Sequence, residues 1–240
     1  MVRCEHRGPS GRPDWQRMSR RPSALIIDYT GVITVPLSMG APSRVDPNDS
    51  ASQPSSIDRL RSMMSHELHN PDPDALWNRL ERGEAPVSDL VDLVEGVVPG
   101  AGVFFSGETS ATLMASLEVR ADVVDRIRGW RGLGVPLALL TNNVADWRPH
   151  WRAKLAAAGG LSLFDVVIDS SEVGMRKPES RIYHHTVGAL NERLGLRLAP
   201  PDCLFIDDFE QNVAGAEAVG MRTLLATHDD AHWDALDALF

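Results

Sequence analysis

The chain has 240 residues, 43% apolar and 24% charged, enough for one large globular domain or for one domain carrying a smaller insert. A net charge of −9 argues against non-specific binding to nucleic acid, and no apolar run approaches the roughly 20 residues that span a bilayer. Two cysteines, Cys4 and Cys203, supply neither a disulfide framework nor a zinc-binding spacing.

Residues 1–22 carry six arginines against Glu5 and Asp14, with Gly, Pro and Ser between them and no apolar period. This composition predicts a disordered basic tail, and without the apolar core of a secretory signal the expected location is cytoplasmic. Leu25-Ile26-Ile27 then reads as a strand covered on both faces. It ends on Asp28, with Gly31 ready to turn, which places Asp28 at the carboxyl edge of a sheet. Pro36 to Pro54 reads as a loop or hinge. From Ile57 the spacing of Ile57, Leu60, Met64 and Leu68 is helical. A second helix runs through Leu76 and Leu80 towards Gly83, with Asp72 or Asp74 as its expected cap. Further helices are predicted after Ser88 and from Ser110 to Leu117.

The remainder alternates. Val123–Trp130 is helical, Val135–Leu140 a strand ending at Thr141, Trp147–Ala158 a helix and Phe164–Ile168 a strand. Arg181–Leu194 is helical, Leu204–Ile206 a strand, Asn212–Val219 a helix and Arg222–Leu225 a last strand. Such alternation predicts an α/β fold: a doubly wound parallel sheet with a small helical cap inserted after the first strand. The expected division is a core of residues 23–40 and 119–240 with a hinge and cap over 41–118.

Asp28, Asp207 and Asp208 put three carboxylates at the ends of two strands. That is a plausible hard-cation site, with Asp28 a candidate nucleophile. Lys177 and Lys154 are the chain's two lysines among 22 arginines. A lysine where arginine is the habitual cation suggests a site that needs a point charge.

Four segments, Asp28-Tyr29-Thr30-Gly31-Val32, Thr141-Asn142, Gly174-Met175-Arg176-Lys177-Pro178 and Asp207-Asp208, resemble in order the motifs of the haloacid dehalogenase-like hydrolase superfamily. The stretch Trp77-Asn78-Arg79-Leu80-Glu81-Arg82-Gly83-Glu84 is similar to the subgroup that includes the N-terminal phosphatase domain of soluble epoxide hydrolases. The resemblance implies a Rossmannoid core and a Mg²⁺-dependent phosphatase or phosphotransferase acting on a small phosphorylated substrate, through an aspartyl-phosphate on Asp28. It implies Mg²⁺ held by Asp28, Asp207 and the Thr30 carbonyl, with Asp208 direct or through water. Lys177 would neutralise charge, and the Thr141 hydroxyl and Asn142 N–H would hold phosphate oxygens. No nucleic-acid or membrane partner is expected; monomer and homodimer both stay open.

Thr30 departs from the pattern. Most phosphatases of the superfamily have a second aspartate there, as general acid and base, a contribution typically worth about 10²–10⁴-fold. Three readings follow: a slow phosphatase or phosphotransferase, a phosphate- and metal-binding pseudo-enzyme, or a hydrolase of carbon–halogen or carbon–phosphorus bonds. His66, His69 and Tyr29 are the candidates for a substitute acid, although the two histidines read first as a polar helix face. His228 and His232 are expected in solvent, Trp147 and Trp151 in packing. Asn212 is expected to organise the Asp207-Asp208 loop. Phe104-Phe105 reads either as packing or as a pocket wall.

Overall fold

Five strands, Ala24–Ile27 (β1), Leu137–Thr141 (β2), Val166–Asp169 (β3), Cys203–Asp207 (β4) and Arg222–Leu225 (β5), form one sheet in the order β3-β2-β1-β4-β5. The structure is a computed structural model and describes residues 20–35, 55–107, 117–227 and 231–240. Every strand pairing is parallel. β1, β2 and β4 are buried along their whole length, which is why their sequences run apolar without polar alternation.

The period of two sorts each strand between two layers. Leu25 and Ile27 pack with Val123, Ile127 and Trp130 of helix α4 (Ala121–Gly132) and with Trp151 and Leu155 of α5 (Arg148–Ala157). Ala24 and Ile26 face the other way, onto Ile182, Tyr183, Val187 and Leu190 of α7 (Ser180–Leu194) and Ala216 of α8 (Glu210–Ala218). A short helix α6 (Ser170–Val173) follows β3. The chain builds outward from β1 through β2 to β3, then crosses to β4 and β5 on the other side. The order therefore reverses between β1 and β4, and in such sheets the crevice at the carboxyl ends of those strands is where ligands bind.

Ahead of α4 in the connection from β1 to β2, the described residues hold three further α-helices, Ser56–Leu68 (α1), Leu76–Glu81 (α2) and Val87–Val97 (α3). Ser55 opens α1 through a capping box with Asp58. The three share an apolar cluster that includes Met64, Trp77, Leu80, Leu90 and Val94, and Val144 and Trp147 from the segment after β2 complete it. Trp77 and Trp147 meet with ring centroids 6.1 Å apart. This cap is thus seated on one side of the sheet's carboxyl edge. Its two connections to the core run side by side: Val35 N–H donates to Glu118 O (2.9 Å) and Arg120 N–H to Ile33 O (2.8 Å).

Several expectations change. Neither Asp72 nor Asp74 caps α2; Ala75 holds that position without a side-chain bond. Asp72 instead accepts from Asp74 N–H (3.0 Å) in a turn, because buried Asn78 pins the carbonyls of Asp72 (2.6 Å) and Asn70 (3.0 Å) below it. His232 is buried rather than solvated. It lies on helix α9 (Ala231–Asp237), which the sequence reading missed, with its ring 4.7 Å from Trp233. Trp130 Nε1 ties α9 to α4 through Asp237 Oδ1 (2.8 Å). Phe105 packs in the cap while Phe104 is exposed. The end of the expected tail is already seated, with the Arg21 guanidinium 4.8 Å over the Phe240 ring. The rest of that tail, the whole of the Pro36–Pro54 hinge, His228 and all but the last residue of the helix expected over Ser110–Leu117 lie outside the described residues. No helix among the described residues is long and apolar enough to cross a membrane.

Candidate active site

Asp28 lies one residue past β1, and its N–H continues the ladder to Ile206 O (2.9 Å). Because Ile27 pairs with Ile206, Asp28 stands level with Asp207, the last residue of β4. Neighbouring strands are only about 4.8 Å apart, so two ionised carboxylates at one level repel strongly in a buried setting. Lys177 resolves this. Its Nζ donates to Asp28 Oδ1 (2.6 Å), Asp207 Oδ2 (2.7 Å) and Leu140 O (3.0 Å), so one ammonium spans the ends of β2, β1 and β4. Burial pulls the lysine's pKa down, but the charges and hydrogen bonds of Asp207 and Asp28 together outweigh it and hold Lys177 above its ordinary value.

The acids are left with excess negative charge. Burial, against the pull of Lys177 and with the push of Asp207 and Asp208, raises Asp28 to about 8. Asp208 is raised to about 6, by burial first and then by Asp207. Asp28, Asp207 and Asp208 each offer an oxygen within 4.8 Å of the others. An all-oxygen set with surplus negative charge suits a hard divalent cation.

The three acids are not equally committed. Asp207 Oδ1 accepts from Phe209 N–H (2.8 Å), Asn212 Nδ2 lies 3.1 Å from both Asp207 oxygens, and Lys177 takes Oδ2. Asn212 thus organises the loop, and Tyr183 Oη anchors it by donating to Asn212 O (2.7 Å). Asp208, by contrast, accepts no hydrogen bond from another residue among those described. Its carboxylate lies over Gly31, where a Cβ would fall 1.9 Å from Asp208 Oδ2. With φ at +83°, Gly31 is required both for its backbone and for that approach. Helix α8 supplies a second close approach: a Cβ at Gly215 would lie 2.6 Å from Pro178 Cβ and from Pro178 O. The absence of a side chain there lets the Lys177-Pro178 segment settle beside β4.

Thr141 ends β2, almost fully buried, with its hydroxyl 3.4 Å from Asn142 O. The Asn142 side chain grips Lys177 by both main-chain groups: Oδ1 accepts from Lys177 N–H (2.9 Å) and Nδ2 donates to Lys177 O (3.0 Å). Thr30 sits half-buried in the turn after Asp28, and among the described residues no N–H donates to its carbonyl. Tyr29 points into the core instead, its ring 5.2 Å from Trp151, and burial pushes its hydroxyl up to about 12. It is therefore a poor proton donor. His66 is exposed on α1, and His69 lies at the end of that helix, 5.1 Å from the Phe209 ring. Trp147 and Trp151 are both packing residues.

Sequence reasoning missed one residue that meets this network. Glu81 of α2 is only 7% exposed and its Oε2 accepts from Asn142 Nδ2 (3.0 Å) and Arg176 Nε (2.6 Å). Its Oε1 accepts from Trp77 Nε1 (2.8 Å), one helical turn back. The Trp-x-x-x-Glu spacing was the available signal.

Comparison with known proteins identifies the family. A sesquiterpene phosphatase of Aspergillus oryzae is 27% identical over 153 residues, 63% of this chain and 72% of the relative. The bifunctional epoxide hydrolase 2 of Rattus norvegicus is 28% identical over 163 residues, 64% of this chain but only 28% of that enzyme. Among solved structures, a haloacid dehalogenase family enzyme of Bacteroides thetaiotaomicron, in complex with magnesium and inorganic phosphate, superposes with a TM-score of 0.58 at 18% identity, over 90% of this chain and 99% of that one; at this identity the likeness is one of fold. The family model for haloacid dehalogenase-like hydrolases matches residues 63–220, more than half of the chain, and the protein is a hydrolase belonging to that family.

Proposed function

We propose that the protein is a Mg²⁺-dependent phosphatase or phosphotransferase for a small phosphorylated substrate, with Asp28 as nucleophile. The observation that carries this reading is Lys177 Nζ bridging Asp28 and Asp207, with Asp208 beside them on an uncommitted edge. Asp28, Asp207 and Asp208, with the Thr30 carbonyl, would hold the cation; Asp208 is the acid with the most coordinating capacity to spare. Bound there, Mg²⁺ supplies neutralisation of the negative charge that gathers between carboxylate and phosphoryl oxygens.

Lys177 fixes Asp28 Oδ1, which leaves Oδ2 without a hydrogen-bond partner among the described residues. A carboxylate oxygen of Asp28 attacks phosphorus in line, the P–O ester bond breaks, and the alkoxide leaves. The Thr141 hydroxyl and Asn142 N–H, at the end of β2, would hold phosphoryl oxygens. Water then attacks the aspartyl-phosphate and must lose a proton. In the family pattern the position of Thr30 carries the group that handles that proton and the one for the leaving oxygen, and a hydroxyl does neither near neutral pH. Good leaving groups and a long-lived phosphoenzyme follow. Retention of both Asp207 and Asp208 favours phosphate over carbon–halogen cleavage, which needs no cation.

The test is hydrolysis of para-nitrophenyl phosphate with and without Mg²⁺, alongside chemical trapping of phosphoenzyme. Expected are slow Mg²⁺-dependent release, trapped phosphate lost in Asp28→Asn, and acceleration by Thr30→Asp of about tenfold or more. Metal-independent halide release from a haloacid would overturn the reading, as would hydrolysis that survives Asp28→Asn.

A further inference from the structure

We propose that Glu81, carried on the cap, is a positioning residue for Lys177: its carboxylate fixes the Asn142 side chain and the Arg176 guanidinium that flank the lysine, so the ammonium is aimed only while the cap is seated. The inference rests on the catalytic reading of Lys177 given above.

Lys177 Nζ must meet three acceptors at once, two of them carboxylates on adjacent strands. Its side chain is long, so the aim depends on where its main chain is held. Asn142 holds that main chain at two points, a rigid grip that spends Oδ1 and one hydrogen of Nδ2. The other hydrogen of Nδ2 goes to Glu81 Oε2. The same oxygen takes Arg176 Nε, from the residue just before Lys177. One cap oxygen therefore restrains the lysine segment both through the chain and through its clamp. Glu81 is itself locked, because Trp77 Nε1 occupies Oε1 and sets the rotation of the carboxylate. A buried acid with every bond directed in this way is costly to place, and a mere tether needs less: the Arg82–Glu179 pair already links cap to core (3.3 Å).

Withdrawing the cap carries Glu81 away and leaves Arg176 and Asn142 each one acceptor short, next to the group that neutralises Asp28. The seated cap thus completes the site from behind.

The chain's two lysines make this measurable without turnover. Protein labelled with ¹³Cε-lysine gives one signal from Lys177 and one from Lys154 on α5, the internal reference. Glu81→Ala is expected to move the Lys177 signal and leave Lys154 in place, and to lower kcat for para-nitrophenyl phosphate by about tenfold or more, with KM changed less than about threefold. Glu81→Gln keeps the shape but has one oxygen for three donors, and is expected to move the same signal by less. Val94→Ala, which loosens the cap's own apolar cluster, is expected to lower Tm with Lys177 unmoved. An unshifted Lys177 in both Glu81 variants, or an equal shift in Val94→Ala, would overturn the proposal. If the wild type hydrolyses no phosphate, the functional reading fails while the lysine signals still decide the positioning.

Discussion

Three carboxylates around one ammonium cannot all be ionised cheaply in a buried crevice, and this governs how Asp28 behaves. Without a cation, Asp28 raised to about 8 holds a proton at neutral pH that the unfolded chain, at 3.8, has already lost. The contribution of Asp28 to the stability of the metal-free protein is therefore most favourable below about 4 and declines as pH climbs towards 8. A bound cation favours the ionised form and reverses that slope. Calorimetric titration of Mg²⁺ at pH 7, in buffers of different ionisation enthalpy, is expected to show release of about one proton, with apparent affinity rising up to about tenfold per pH unit below 8. No buffer dependence would mean that the acids are already ionised. Gly31 belongs to the same scale: it alone leaves room for the Asp208 carboxylate.

Helix α8 shows how an element positions a side chain it does not carry. Alanine for glycine inside a helix normally stabilises by about 1 kcal/mol. At Gly215 the new Cβ would press on Pro178, so Gly215→Ala is expected to destabilise instead, by about 1–3 kcal/mol in urea unfolding, and to lower kcat by displacing Lys177. A stabilised variant would show that the Lys177-Pro178 segment is free to yield. Elements of this kind were legible where periodicity was strong. The strand ending at Asp28, the strand ending at Asp207 and the helix closed by Gly195 appear within a residue or so of their expected bounds. What escaped was set by partners distant in sequence. α9 reads as an acidic run until Trp130 and Arg126 are brought against it. Glu81 reads as one charge among several in its segment until Asn142 and Arg176 meet it. No local pattern tells Asp207, engaged by Asn212 and Lys177, from its neighbour Asp208.

At the scale of the whole molecule, cap and core share one apolar seam. Trp147 belongs in sequence to the core but completes the cap's cluster against Trp77. Trp147→Ala is expected to cost about 3–5 kcal/mol of cap stability, seen as faster hydrogen exchange in α1–α3 while β1, β2 and β4 stay protected. Equal loss of protection everywhere would mean that the two parts unfold as one. The antiparallel bridge between Thr34 and Val119 has a different consequence. Both threads leave the sheet through a single stitch, so whatever is sewn in beyond it pulls on the same two peptides. Strain in the insert is then borne by the stitch before it reaches β1, and the cap's hold on the carboxylates underneath passes through Glu81 rather than through the threads.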